Sequence, residues 1–245
     1  MFERIRLFID EVSVLKTERE LADLLDELSR DLGFRYFALT HHVDPRKTSA
    51  AIRIHNYPPG WEQWFDDQGL GKTDPVHRAS HMTSVGFVWS SLDQFIVLTN
   101  VDREVLKAAH AAGIGEGFTV PAHVPGEAYG SCSFATEIGV PLRAERLALA
   151  QLAGAFAFEA ARRIQRLRVP ASPAPRLTER QCECLTWAAR GKSDREIARI
   201  LGVRHETVVE HLKLARGRYG VPKRTLLAVH ALFDGSIAFP DVLKH

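Results

Sequence analysis

Apolar positions at the start of the chain recur at three-and-four spacing. Ile5, Phe8, Ile9 and Val12 mark one amphipathic helix; Leu21, Leu24, Leu25, Leu28 and Leu32 mark a second, which stops at Gly33. The period then shortens. Residues 34–43, 51–55, 118–123 and 129–137 are rich in aromatic and β-branched side chains and bounded by Gly or Pro, the pattern of strands. Residues 143–167 return to helical spacing, with Leu149, Leu152, Ala153, Phe156, Ala160, Ile164 and Leu167 as the apolar stripe. Helices before, between and after the strands predict an α+β domain, a mainly antiparallel sheet flanked by helices in an α/β/α sandwich.

The pattern breaks at residues 169–175, VPASPAP, where three prolines among small residues cannot continue a helix. Arg162, Arg163, Arg166 and Arg168 crowd the helix end just before it, where cations complement the helix dipole. The expected division is a first domain over 1–168, a linker over 169–176 and a second domain over 177–245. From Leu177 onward, start and stop signals order an all-α unit of four short helices. Thr178 with Gln181 and Ser193 with Glu196 have capping-box spacing, and Gly191 and Gly202 mark stops. The helix Asp194–Leu201 presents Ile197, Ala198 and Leu201 inward, and a turn of about three residues leads to His205–Tyr219, the spacing of a helix-turn-helix. In that third helix Val208, Leu212, Ala215 and Tyr219 share one sector; Glu206, Val209, Glu210, Lys213 and Gly217 share the opposite one.

Length and composition fit two ordinary folded domains: 245 residues, 45% hydrophobic and 25% charged. No run approaches the ~18 to 20 apolar residues of a membrane span, and the start of the chain leads into an amphipathic pattern rather than a signal-peptide core. A cytoplasmic protein without a membrane partner is expected. Three cysteines, with Cys182 and Cys184 facing different directions on one helix, suggest neither a disulfide framework nor a zinc site.

Charge sharpens the division. Residues 1–168 hold 19 Lys or Arg against 22 Asp or Glu, a net of −3, while residues 169–245 hold 13 against 8, a net of +5. The smaller, basic part is the one a nucleic acid would contact. With the third helix in a major groove, its exposed sector meets base edges, while Lys192, Arg195, Arg216, Arg218 and Arg224 lie near phosphates. Lys213 would donate to guanine, and Glu210 would accept from a cytosine amino group. Alternatively, Glu206 and Glu210 pair with arginines on an ordinary solvated surface.

Residues 177–235 resemble the C-terminal DNA-binding domain of LuxR-type regulators. The resemblance rests on Leu177, Thr178, Arg180, Glu183, Leu185, Gly191, Lys192, Ser193, Glu196, Ile197, Ala198, Leu201, Val203, Thr207, Val208, His211, Leu212, Val221 and Arg224. Gln181 replaces the family's usual Glu and keeps the capping chemistry; Arg204 replaces a common capping Ser and weakens the cap on the third helix. The expected DNA-binding set is Lys192, Ser193, Arg195, Thr207, Val209, Glu210, Lys213, Arg216 and Arg224. The family's last helix, here 223–233, implies a homodimer through Leu227, Ala228, Ala231 and Leu232, on a near-palindromic site of double-stranded DNA. Contact with RNA polymerase stays open.

In the first part, the stretch NYPPGWEQWFDDQGLGKTDPV sets Tyr57, Trp61 four residues later and Asp74 thirteen beyond, with Trp89 fifteen after that, then Gly117 and Ser133. On that ordered set, residues 1 to about 165 resemble the autoinducer-binding domain of the quorum-sensing members of that family. An N-acyl homoserine lactone has two carbonyls and an amide N–H on an apolar body, so its pocket needs a few polar groups among hydrophobic walls. By resemblance Trp61 donates to the lactone carbonyl, Asp74 accepts the amide N–H, Tyr57 and Ser133 donate to the acyl carbonyl, and Trp89 walls the ring. Period-two reading adds small side chains facing a core, Ser131, Ser133 and Ala135 on one strand, Ala38 and Thr40 on another. Phe65, Val76 and Ile114 complete the expected lining.

Phe65 and Val76 depart from the family's Tyr and Thr, and His77 adds a polar ring beside the pocket, which leaves straight-chain, branched and aromatic acyl groups all open. The effector is a small molecule, and no cofactor is implied. Taken singly, Trp61 and Trp89 read equally well as core aromatics, Tyr57 as a turn residue and Asp74 as a helix cap ahead of Pro75. A metal enzyme built on His77 and His81 with His41 and His42 lacks a further ligand or base, and Gly130 to Ser133 forms no nucleophile elbow, so no enzyme is expected. An orphan regulator, ligand-independent or answering another small molecule, is the alternative.

Overall fold

The structure, a computed structural model, describes residues 1–43, 51–124, 127–165 and 175–243. It divides into two compact units, Met1–Val169 and Pro170–His245. The expected linker up to residue 174, and the helix end with Arg166, Leu167 and Arg168, lie outside the described residues.

The first unit opens with α1 (Phe2–Val14) and α2 (Glu18–Leu32). Thr17 starts α2 through a capping box with Glu20, and Gly33 ends it in a left-handed conformation, φ 91°. The strands β1 (Tyr36–His41), β2 (Arg53–His55), β3 (Phe87–Val88), β4 (Ile114–Ala122) and β5 (Gly130–Glu137) form one antiparallel sheet in the order β2-β1-β5-β4-β3. Two residues carry no periodicity, which is why β3 leaves no mark in the sequence. Alternation splits the sheet by size. Phe37, Leu39, Ile54, Phe118, Val120, Cys132 and Phe134 join the core shared with α1, α2 and α6 (Ala144–Ile164). Ala38, Thr40, Thr119, Ser133 and Ala135 fall on the other face, which α3 (Trp61–Asp67), α4 (Pro75–Ser80) and α5 (Asn100–Ala111) cover.

Helix α6 turns differently from its expected stripe. Leu149, Ala153 and Ala160 are buried, but Leu152 and Phe156 are each 41% exposed; Ala150, Gly154, Ala157, Phe158 and Ala161 face inward instead. The large side chains already standing on the sheet leave room mostly for small ones, with Leu149 and Phe158 the exceptions. A Cβ built at Gly154 would lie 3.0 Å from the Val120 side chain and 3.1 Å from Cys132.

The second unit holds α7 (Glu179–Ala189), α8 (Asp194–Leu201), α9 (His205–Tyr219) and α10 (Arg224–Phe233), with both expected capping boxes in place. A fifth short helix, α11 (Phe239–Leu243), is an addition to the four expected. The face expected for dimer contact on α10 is also corrected: Leu227 and Ala231 are fully buried in the unit's own core, and Leu226, Val229 and Phe233 are the exposed apolar residues.

Substituting Gly154→Val should push α6 off β4 and cost about 1 to 3 kcal/mol, whereas Leu152→Ala should stay within about 0.5 kcal/mol. Thermal denaturation of the two variants checks this, and the reverse ranking would refute the packing.

Candidate ligand cavity and nucleic-acid interface

Between the small-residue face of the sheet and helices α3 to α5 lies a cavity of about 310 Å³. All ten residues expected to line a pocket do line it: Ala38, Thr40, Tyr57, Trp61, Phe65, Asp74, Val76, Trp89, Ile114 and Ser133. Local chemistry puts them there. Gly60, at φ 86°, makes the turn that starts α3, so Trp61 and Phe65 fall one turn apart on the helix. Trp61 stacks on Trp64 at 5.1 Å, and Arg53 of β2 ties α3 down through Asp66 at 2.8 Å and Glu62 at 3.2 Å.

Asp74 serves two purposes. Its Oδ1 accepts the His77 N–H at 2.9 Å and caps α4, ahead of Pro75, as the simpler reading of the sequence has it. Its Oδ2 has no hydrogen-bond partner among the described residues, and the side chain still borders the cavity. Tyr57 and Trp61 likewise keep a hydroxyl and an indole N–H without a partner among the described residues. Enclosure in the wall, and then the Asp74 charge, push the Tyr57 phenol up, so it stays protonated and a donor.

Trp89 packs flat against the sheet because residue 117 is glycine: a Cβ there would lie 2.3 Å from the indole. The Trp89 Nε1–H donates to Thr119 Oγ1 at 2.8 Å, and Thr119 and Ser133 hydroxyls lie 2.8 Å apart. With the indole on its oxygen, Thr119 can give its own proton to Ser133 and leave the Ser133 proton for a ligand.

In the second unit α9 buries Val208, Leu212 and Ala215 and exposes Glu206, Val209, Glu210, Lys213 and Gly217, the division the sequence implies. Lys213 Nζ lies 3.7 Å from Glu210, so Glu210 pairs with the lysine of its own stripe rather than with an arginine. Arg195 is exposed and Thr207 half-buried. Lys192 lies 4.0 Å from Glu196, whose carboxylate closes the cap with Ser193. Three of the arginines expected near phosphates are also hydrogen-bonded within the unit: Arg216 donates to the Pro222 carbonyl at 3.0 Å, Arg218 to the Arg176 carbonyl, and Arg224 to Asp194 at 3.1 Å and the Lys192 carbonyl at 3.0 Å.

Residues 17–164 match the family model of the autoinducer binding domain, and residues 175–231 that of the bacterial regulatory proteins of the luxR family. The chain belongs to the LuxR-type regulators. It is similar to the transcriptional activator protein VanR of Vibrio anguillarum, 29% identical over 97% of this chain and 98% of VanR. Its fold is that of Escherichia coli SdiA, with a TM-score of 0.59 at 24% identity over 99% of both chains. It is also that of CepR2 of Burkholderia cenocepacia, with a TM-score of 0.52 at 17% identity over 68% of this chain and 96% of CepR2.

This LuxR-type chain surrounds its cavity with further residues that sequence reasoning missed. Val105, Leu106 and Ala109 come from α5, whose signal was present: Thr99 and Asp102 form its capping box, and Val105 and Ala109 share one face. Arg53 and His55 carry no such signal, because only the pairing of β2 with β1 turns them to this side; Glu62 comes from the first turn of α3.

Beside the cavity His77, His42 and His81 are packed together: His42 stacks on His77 at 3.8 Å, and its Nδ1 lies 2.8 Å from His81 Nε2. Burial, then the neighbouring histidines His77, His81, His41 and His123, hold His42 well below its ordinary 6.5. Burial also lowers His81, with His77 and His123 adding to it. It lowers His41 as well, with Glu127 opposing and Arg162 adding. The unfolded chain therefore takes up protons on these rings before the folded one, and stability falls as pH drops below about 6.5, most of all through the deeply buried His42. The melting temperature should drop between pH 7.5 and 5.5, less steeply in His42→Gln. A melting temperature that held or rose on acidification would contradict the arrangement.

Proposed function

We propose that this LuxR-type regulator binds an N-acyl homoserine lactone in the cavity of its first unit and regulates promoters by binding DNA as a homodimer through α9. The observation that carries the reading is that Tyr57, Trp61, Asp74 and Ser133 all line one otherwise mostly apolar cavity. Two donors for carbonyls, a carboxylate oxygen for an amide N–H and a hydroxyl for either are what that head group requires. CepR2 is described as N-acylhomoserine lactone dependent, and VanR as a transcriptional activator. The dimer reading rests on Leu226, Val229 and Phe233 of α10, an apolar stripe left outside the core.

Left dry, about 310 Å³ of cavity costs the fold on the order of several kcal/mol at ~24 cal/mol per Å³. A bound ligand removes that cost. A homoserine lactone panel should therefore raise the melting temperature, with a lactone detected by mass spectrometry in the purified complex. Trp61→Phe, which deletes one donor at nearly constant shape, should weaken binding about tenfold. If no lactone of any acyl type moves the melting temperature and none is retained, the reading is wrong.

On the DNA side, Lys213→Glu should abolish retention of a near-palindromic probe without changing the melting temperature. Retention equal to that of the parent chain would remove α9 as the reading helix.

A further inference from the structure

Head-group recognition leaves the other end of the cavity unaccounted for. Trp89, Ile114, Val105 and Ala109 wall the side where the proposed lactone ring sits, so the acyl group runs the opposite way, along β1. Ala38 pairs across the sheet with Ser133 and His55; two residues on, roughly 7 Å along the strand, Thr40 pairs with Ser131 and Arg53. Thr40, Arg53, Phe65 and His77 border this part of the cavity, and Val43 and Ala51, just beyond the ends of β1 and β2, line it too. An aliphatic tail would gain most from an aliphatic wall, and this one mixes polar groups with apolar ones.

Two of its polar atoms are unspent. Thr40 makes no side-chain hydrogen bond among the described residues. His77 Nδ1 lies 3.0 Å from the Gly71 carbonyl, which can only accept, so Nδ1 carries a proton; in the neutral ring Nε2 is then a bare acceptor, again without a partner among the described residues. The ring is held in place: it stacks on His42 at 3.8 Å and 13°, and meets Phe65 edge-on at 5.8 Å. His42 is itself fixed by Ser131 at 2.9 Å and His81 at 2.8 Å. A stack of imidazoles braced in this way presents an acceptor at a set position. Volume limits the rest: about 310 Å³ is at the small end of the range for ligand pockets, roughly 300 to 1,000 Å³.

We propose that the acyl group of the signal is a short hydroxyaryl group, whose terminal hydroxyl donates to His77 Nε2 and accepts from the Thr40 hydroxyl, with the flat ring beside Phe65. This inference rests on the lactone reading above. It treats the histidine stack as a specificity element, since any change that tilts His77 moves the acceptor.

The full chain is titrated calorimetrically with three ligands: 3-(4-hydroxyphenyl)propanoyl, 3-phenylpropanoyl and octanoyl homoserine lactone. The hydroxylated ligand is expected to bind about tenfold more tightly than its match without the hydroxyl. Thr40→Val, which keeps the shape, and His77→Phe, which keeps a flat ring on His42, should each reduce that difference to about threefold or less. Thr40→Val alone suffices if His77→Phe does not fold. Equal or weaker binding of the hydroxylated ligand, or discrimination that survives Thr40→Val, overturns the polar acyl site while the lactone reading stands. Binding of none of the three overturns both.

Discussion

Successive residues of β1, β4 and β5 point to opposite faces of the sheet, and the two faces carry side chains of opposite size. Phe37, Leu39, Phe118, Val120, Cys132 and Phe134 stand on one side; Ala38, Thr40, Thr119, Ser133 and Ala135 stand on the other. A sheet with large residues on both faces would be packed solid, and one with small residues on both would have too little apolar area to hold α1, α2 and α6. The asymmetry lets a rigid wall and an unfilled space share one set of strands. A one-residue slip in the β1–β5 register would exchange the two faces, filling the cavity with Phe37 and Leu39 and emptying the core.

The polar groups of the cavity depend on that wall. Ser133 and Thr119 are cross-strand partners, so their hydroxyls meet at 2.8 Å because the register puts them there. Trp89 reaches Thr119 only because Gly117, two residues along β4, leaves the sheet surface bare beneath the indole. Asp74 is fixed differently, by the helix end it caps. One oxygen is committed to the backbone of α4 and the other stays available, so capping stiffens the side chain that the ligand would use. The two competing readings of Asp74, cap or ligand contact, are therefore both consistent with one geometry.

How much of this was legible in the sequence depended on whether a residue's neighbours are near it in the chain. Caps and stops are local: Thr178 with Gln181, Ser193 with Glu196 and the Gly202 stop stand where the sequence put them. Of the cavity residues, Ala38, Thr40 and Ser133 were legible through strand alternation, whereas Tyr57, Trp61, Asp74 and Trp89 came from the resemblance to the autoinducer-binding domain. Residues whose role is set across the fold were not. Leu152 and Phe156 fit the stripe of α6 as well as Ala157 and Ala161 do, and only the bulk of the facing sheet decides against them. Leu227 and Ala231 were assigned to a dimer face for the same reason, although the core of their own unit claims them. Arg224, expected near a phosphate, also shares its fork between Asp194 and the Lys192 carbonyl and so ties the start of α10 to α8, a link that no local spacing shows.

Similar accounting applies to the two glutamates of α9. Glu210 and Lys213 lie 3.7 Å apart with 55% and 69% of their side chains exposed. An exposed pair of this kind contributes about 0 to 1 kcal/mol, less than a charge-assisted contact to a base edge gains. The pair is therefore no barrier to Lys213 turning toward a groove. If α9 reads DNA as proposed, Glu210 would offset part of the lysine's charge, lowering affinity for any phosphate backbone alike and leaving discrimination to the base edges. A weak ion pair there would favour selectivity over strength, which would account for an acidic residue on a surface that otherwise needs to be basic.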